Sequence, residues 1–177
     1  MVPSRVVVMG VAGSGKSTVA AELAVRRGVS FIEGDEFHSA SNLEKMATGV
    51  PLTDDDRRPW LAALRHAMCS EQQVVIACSA LKRAYRDALR DVGGVCFIHL
   101  VVDRDEILAR VGKRPNHFMG ITMIESQFEA LEPPADDETD VVSIDASGEP
   151  TSVVDAVVTA LAALAVGTRA APGGAVV

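Results

Sequence analysis

Aromatic side chains are scarce in this 177-residue chain: one Trp, one Tyr and five Phe make up 4% of it. A core must therefore come from Val, Leu, Ile, Ala and Met, and the 48% hydrophobic content is enough to build one. Cysteines number three, and Cys69, Cys78 and Cys96 show no CxxC or Cys/His spacing. That pattern points to neither a disulfide framework nor a zinc site. Cationic excess is missing too. The chain sets 17 Lys and Arg against 24 Asp and Glu, a formal net charge of −7. This argues against a broadly basic nucleic-acid surface and against a polybasic membrane contact. No apolar run approaches the length of about 18 residues that marks a spanning helix, and the segment before Gly10 is too short for a signal peptide. The expectation is one cytoplasmic domain that contacts neither nucleic acid nor membrane.

What is present alternates. Short β-branched runs at residues 5–9, 29–33, 74–78, 95–102 and 141–144 are separated by helical patterns. This predicts an α/β fold with a mainly parallel five-stranded sheet flanked by helices. Helices are predicted over residues 16–27, with Val19, Ala20, Leu23 and Ala24 on one face, over 60–68, and over about 151–166. Two stretches, 39–59 and 113–122, carry Gly, Pro and charge and read as excursions off the sheet, where function concentrates. Residues 1–166 read as a single domain, and 167–177 as a flexible tail.

Gly10-Val11-Ala12-Gly13-Ser14-Gly15-Lys16-Ser17 satisfies GxxxxGK[ST] at every fixed position, between an apolar strand and an amphipathic helix. Glycines there let backbone N–H groups turn toward phosphate oxygens, and the helix N-terminus adds partial positive charge. Lys16 is placed to reach the β- and γ-phosphates, and the Ser17 hydroxyl suits Mg²⁺. With Thr18, residues 10–17 are the predicted ATP-binding loop of a P-loop protein. Neither asparagine, Asn42 or Asn116, begins the Asn-Lys-x-Asp motif by which GTPases read guanine. Asp103 follows an apolar strand as a Walker-B carboxylate would, but with Glu106 it also spells a capping box, the preferred reading. Asp145 is similarly ambiguous. Asp35, after the strand at 29–33, sits at the sheet edge where such folds place ligands. There it can orient or deprotonate an acceptor hydroxyl and hold a Mg²⁺-bound water.

Longer patterns narrow the acceptor. Gly34-Asp35-x-x-His38, Asn42-x-x-Lys45-Met46 and Gly49-x-Pro51-Leu52-x-Asp54-x-Asp56-Arg57-x-Pro59-Trp60-Leu61 follow the loop in order. Cys78-Ser79-Ala80-Leu81-Lys82-x-x-Tyr85-Arg86-Asp87, His117-Phe118-Met119 and Ser126-Gln127-Phe128-Glu129-x-Leu131-Glu132 continue the series. Together they resemble the gluconokinase family from the phosphate loop to about residue 140. The resemblance implies an adenylate-kinase-like fold with a substrate-binding excursion and a lid at about 111–123. It implies Mg²⁺- and ATP-dependent phosphorylation of D-gluconate at the 6-hydroxyl, and a homodimer. Two positions depart from the family's usual pattern: Ser39 stands where Pro is usual, and Asn116 where the lid segment carries Gly.

Phosphoryl transfer needs in-line positioning and a cage of positive charge. Arg110 and Arg114, one helical turn apart, are the lid candidates for stabilising the transferring group, with Lys113 between them. Arg110 is also the candidate to face adenine, against residues 145–150. For gluconate, whose carboxylate asks for cations, the candidates are Arg57, Lys82 and Arg86, with His38, Asp54 and Asp56, and also Asp35 and His117, toward its hydroxyls. Lys82, Arg86 and Arg90 repeat along one stripe where like charges repel, so a bound anion is the expected explanation. Eight of the 17 basic residues fall within residues 82–90 and 104–114, which predicts a focused cationic pocket on an acidic protein. The remaining rivals are a kinase for shikimate or a nucleoside monophosphate, and a non-catalytic nucleotide-binding regulator.

Overall fold

Alternation along β1 (Arg5–Met9) sends Val6 and Val8 to one face of a sheet and Val7 and Met9 to the other, all four inaccessible to solvent within 1%. A strand buried on both faces reads as a continuous apolar run, as this one does. The structure is a computed structural model describing residues 3–112 and 117–167, with the side chains of 112, 117–121, 166 and 167 outside the description. Around β1 lie β2 (Ser30–Glu33), β3 (Val74–Ala77), β4 (Val95–Val101) and β5 (Val141–Asp145). All pair in parallel, in the order β2-β3-β1-β4-β5. Val6 stands in register with Val75 on one side and Cys96 on the other, so β1 delivers its loop to the middle of the sheet's C-terminal edge.

Parallel strands require crossovers, and helices supply them. They are α1 (Lys16–Arg27), α2 (Ala40–Ala47), α3 (Asp54–Ser70), α4 (Arg83–Arg90), α5 (Arg104–Gly112), α6 (His117–Ala130) and α7 (Pro150–Gly167). One face of the sheet packs Val6, Val8, Val75 and Ile98 against Leu23, Ile107 and Val154 of α1, α5 and α7. The other packs Val7, Met9, Ile76 and Phe97 against Trp60, Leu64, Met68 and Tyr85 of α3 and α4. Each large apolar side chain buried this way contributes about 1.5–3 kcal/mol. Trp60, Tyr85 and Phe97, the buried aromatics among the described residues, are thus gathered on the second face.

The strands and α1 fall within a residue of their expected bounds. The 39–59 stretch does not stay irregular. Ser39 caps α2, its Oγ accepting from the Asn42 N–H at 3.2 Å, so the residue that replaces the usual Pro starts a helix. Helix α3 begins at Asp54, six residues before the expected start. The Thr53 hydroxyl accepts from the Asp56 N–H and the Asp56 carboxylate accepts from the Thr53 N–H. That reciprocal cap outweighs the missing donor of Pro59 inside the helix. Likewise α6 starts at His117, within a segment read as an excursion. Lys113, Arg114, Pro115, Asn116, the His117 side chain and the tail beyond 167 lie outside the described residues.

Candidate active site

Three glycines give the phosphate loop its shape. Gly15 caps α1 at φ 94°, a left-handed conformation that glycine adopts without strain, so the helix starts with its N–H groups facing inward. The loop is tied to its surroundings at several points. The Gly10 N–H donates to the Ser79 carbonyl at 3.3 Å, the Ala12 N–H to Gln127 Oε1 at 2.6 Å, and Lys16 Nζ to the Val11 carbonyl at 3.0 Å. Ser14 Oγ is buried with no hydrogen-bond partner among the described residues, a polar atom left for something the loop encloses. Burial lowers the Lys16 pKa, opposed first by the Asp35 charge and then by Cys78 and Glu33. A poorly hydrated ammonium interacts strongly with any phosphate that replaces water.

Beside the loop opens a cleft of about 740 Å³, lined by Gly13, Gly15 and Thr18, by Arg110, and by Ser147 and Pro150. Arg110 spans it: its Nη2 donates to Glu106, to the Ala146 carbonyl at 2.9 Å and to the Ser147 carbonyl at 3.3 Å. The guanidinium and the 146–150 segment therefore touch each other and line the same cleft side by side. Glu106 is turned to Arg110, and Asp145 accepts the Ser147 N–H at 2.9 Å, shaping that segment.

On the other side of the loop stands Asp35, in the 3-10 turn Gly34–Phe37. Gly34 lets this turn press on β3, because a Cβ there would sit 2.4 Å from the Ala77 carbonyl. Asp35 is exposed, and among the described residues its carboxylate has no hydrogen bond or ion pair. His38 closes the turn and stacks on Trp60, centroids 4.4 Å apart and planes within 12°. Trp60 Nε1 donates to the Gly34 carbonyl at 2.7 Å, fixing the ground beneath Asp35. Asn42 Nδ2 donates to the Asp56 carbonyl at 2.8 Å, which orients its amide, and lies 3.4 Å from His38 Nδ1. Nδ1 then accepts and Nε2 carries the proton. Burial, and then Arg57, lower the His38 pKa, against Asp35, which raises it.

Arg57 lies in the first turns of α3 with its guanidinium 5.5 Å from the Tyr85 ring centroid. Its side chain has no ion pair or hydrogen bond among the described residues. Lys82 is also near that ring, at 5.7 Å, with Nζ 2.7 Å from Asp54 Oδ1, which accepts the Tyr85 hydroxyl as well. Arg57, Lys82, His38 and Asp35 are thus assembled around one corner next to Lys16.

Arg86 is not part of it, and the sequence expectation is corrected. Its side chain is fully buried, Nε and Nη2 engage both Glu138 oxygens at 2.7 and 2.6 Å, and Nη1 donates to the carbonyls of Ala80, Leu81 and Glu132. All three of its nitrogens are engaged and none of the side chain reaches solvent, so it presents nothing to a ligand. Arg90 pairs with Glu138, Asp140 and Asp87, and Arg83 with Asp137. For Arg86 and Arg90 the anion that explains the basic stripe is the protein's own acidic segment, some 50 residues away in sequence, and for Lys82 it is Asp54. Thr53 and Asp56 were findable from their Thr-x-x-Asp spacing, whereas Glu138 and Gln127 carry no local signal that assigns them a partner.

Ser17 and Asp35 offer only oxygen donors, both exposed beside the loop, a set that suits a hard ion such as Mg²⁺. The family model that matches the chain is described as shikimate kinase and covers residues 12–162. Thermoresistant gluconokinase of Escherichia coli K12 is 48% identical over 144 residues, 78% of this chain and 82% of that relative. Gluconokinase of Gluconobacter oxydans 621H is 44% identical over 158 residues, 86% and 88% of the two chains. A crystal structure of a gluconokinase from Sinorhizobium meliloti 1021 superposes with a TM-score of 0.88 at 42% identity, covering 95% of this chain and 97% of its own. Phosphate loop, sheet order and relatives at this identity agree, and the chain belongs to the gluconokinase family, on the scaffold of the shikimate kinase-like P-loop enzymes.

Proposed function

We propose that the protein transfers the γ-phosphoryl group of ATP to the 6-hydroxyl of D-gluconate, releasing ADP and 6-phosphogluconate. The observation that carries this is the Asp35 carboxylate just after β2, without a hydrogen bond or ion pair among the described residues and close enough to Lys16 to be the foremost charge opposing its pKa shift. A base and a phosphate-binding cation meet there, at the sheet edge that holds ligands in open α/β folds.

ATP lies with its phosphates in loop 10–17 and its base in the cleft lined by Arg110 and residues 146–150. Asp35 accepts the 6-hydroxyl proton as that oxygen attacks phosphorus and the bond to the ADP oxygen breaks. Lys16 and Arg110, with Arg114 of the lid, balance the charge on the transferring group. Ser17 directly, and Asp35 through water, would hold Mg²⁺, which supplies further charge neutralisation at the phosphates. Arg57 and Lys82 receive the gluconate carboxylate, and His38 and His117 meet its hydroxyls. Arg57 is the primary clamp, since Lys82 already has Asp54. The same proposal carries one kinase domain over 1–166, a cytoplasmic location and a homodimer, following the family resemblance. Among the described residues no helix is long and apolar enough to cross a membrane.

The test is a coupled ADP-release assay with gluconate, other sugar acids, shikimate and nucleoside monophosphates as acceptors. Gluconate-dependent turnover that Asp35→Asn reduces at least about 100-fold, with ATP affinity retained, is the expected result. Turnover with shikimate but not gluconate would refute the substrate assignment.

A further inference from the structure

The Ser126–Glu132 pattern is the part of the family signature to which the proposed reaction gives no work. Gln127, on α6, reaches the phosphate loop, where its Oε1 accepts the Ala12 N–H at 2.6 Å. A backbone N–H can only be met by the oxygen, so the orientation of this amide is fixed by chemistry. Its Nε2, with two donor hydrogens, is held one amide carbon away from the loop. Among the described residues Nε2 has no partner, and the buried orphan atoms there are Ser14 Oγ and Arg27 Nη1 alone, so Nε2 is open to solvent.

The peptide that Gln127 grips is also gripped by Lys16. Its carbonyl, that of Val11, accepts Lys16 Nζ at 3.0 Å, and its N–H is the Ala12 donor. The carbonyl and N–H of one trans peptide point in opposite directions. A cation that serves the β- and γ-phosphates therefore stands on one side of a clamped peptide, and a neutral two-proton donor on the other. Such donors flank the two sides of a phosphoryl group without repelling each other, and their fixed orientation needs no reorganisation as charge shifts.

We propose that Gln127 is a catalytic residue: its Nε2 donates to the γ-phosphoryl group of ATP, while its Oε1 anchors the amide on the phosphate loop. This rests on the kinase function above and adds a contact to it.

Two variants of the full-length enzyme separate contact from anchorage. Gln127→Met removes both functions of the amide with nearly the same volume. Gln127→Glu keeps an oxygen for the Ala12 N–H and removes the donor. Equilibrium binding of ATP and of ADP is measured alongside gluconate-dependent kcat. For both variants the expected result is ATP affinity reduced at least about tenfold, ADP affinity unchanged, and kcat reduced about 100-fold. Equal losses for ATP and ADP, or wild-type values in Gln127→Glu, would overturn the assignment and leave Gln127 as a loop anchor. If the wild type turns over no gluconate, the substrate reading fails by itself, and the ATP-to-ADP comparison still decides the amide contact.

Discussion

Arg57 lies on the Tyr85 ring and Arg86 is the next residue in the chain; both bear the same guanidinium, and their circumstances are opposite. Arg57 lies against the Tyr85 ring with no ion pair among the described residues. Arg86, one residue beyond Tyr85, is enclosed, both oxygens of Glu138 on one edge and three backbone carbonyls on another. Basic residues clustered in sequence therefore say little about which cation meets a ligand. What decides it is how many acceptors the rest of the fold brings to each one. Arg86 works through backbone instead. Two of the carbonyls it holds, those of Ala80 and Leu81, belong to the loop between β3 and α4, where Ala80 takes φ 41°, unusual for a residue with a side chain. The same loop carries Ser79, which accepts the Gly10 N–H of the phosphate loop.

Removing each arginine sharpens the contrast. Arg86→Met leaves the buried Glu138 with Arg90 as its one remaining cation among the described residues and strips three backbone carbonyls of their donor, lowering stability by about 3–5 kcal/mol in denaturant titration. Arg86→Met with Glu138→Leu recovers part of that loss, because an apolar pair replaces the buried ion pair, while the carbonyls that Arg86 held stay without their donor. Arg57→Ala acts on ligand instead. It raises the KM for gluconate about 10- to 100-fold, with kcat and the unfolding midpoint nearly unchanged. A large loss of stability in Arg57→Ala would erase the distinction between the two.

Acid tests the same difference through stability. Burial, and then Arg57 for His38 and Arg86 for His99, lower both imidazole pKa values below 6.5. The folded state then binds fewer protons than the unfolded one, so stability is full above pH 6.5 and declines as pH falls through it. Glu138 is depressed below its usual 4.5, foremost by Arg86, and Asp56 is lowered to about 2, foremost by Lys45. A second decline therefore begins near pH 4.5 and deepens toward pH 2. Unfolding free energies measured across this range show both limbs, and the Arg86→Met/Glu138→Leu protein shows a shallower lower one. The smallest effect belongs to Arg83→Ala: its partner Asp137 is solvated, and the midpoint stays where it was.

The phosphate loop was legible because its chemistry is local. Spacing, a preceding strand and a following helix lie within a couple of dozen residues, and Lys16–Arg27 forms the helix that its apolar stripe predicts. Asp35 was legible for a related reason, since the end of a short strand is a place on the sheet. The start of α3 was misplaced because Pro59 and three acidic residues were read as irregular, although a Thr53–Asp56 cap supports a helix through all of them. The fate of Arg86 was not legible. Its partner is 52 residues away, and no pattern near either residue announces a pairing that only the packing of the 132–140 segment against α4 creates. Gln127 was quoted as part of a signature but had no job until α6 brought it to the loop.

Trp60 has an optical consequence. It is the chain's single indole, stacked on His38 and bonded to the carbonyl of the residue before Asp35. The protein's near-ultraviolet emission therefore originates at one address, directly beneath the proposed acceptor corner. An imidazolium quenches a stacked indole more strongly than a neutral imidazole does, so the brightness of that one ring follows the proton on His38. Gluconate arriving over it would be registered as light, with no label attached and no turnover required.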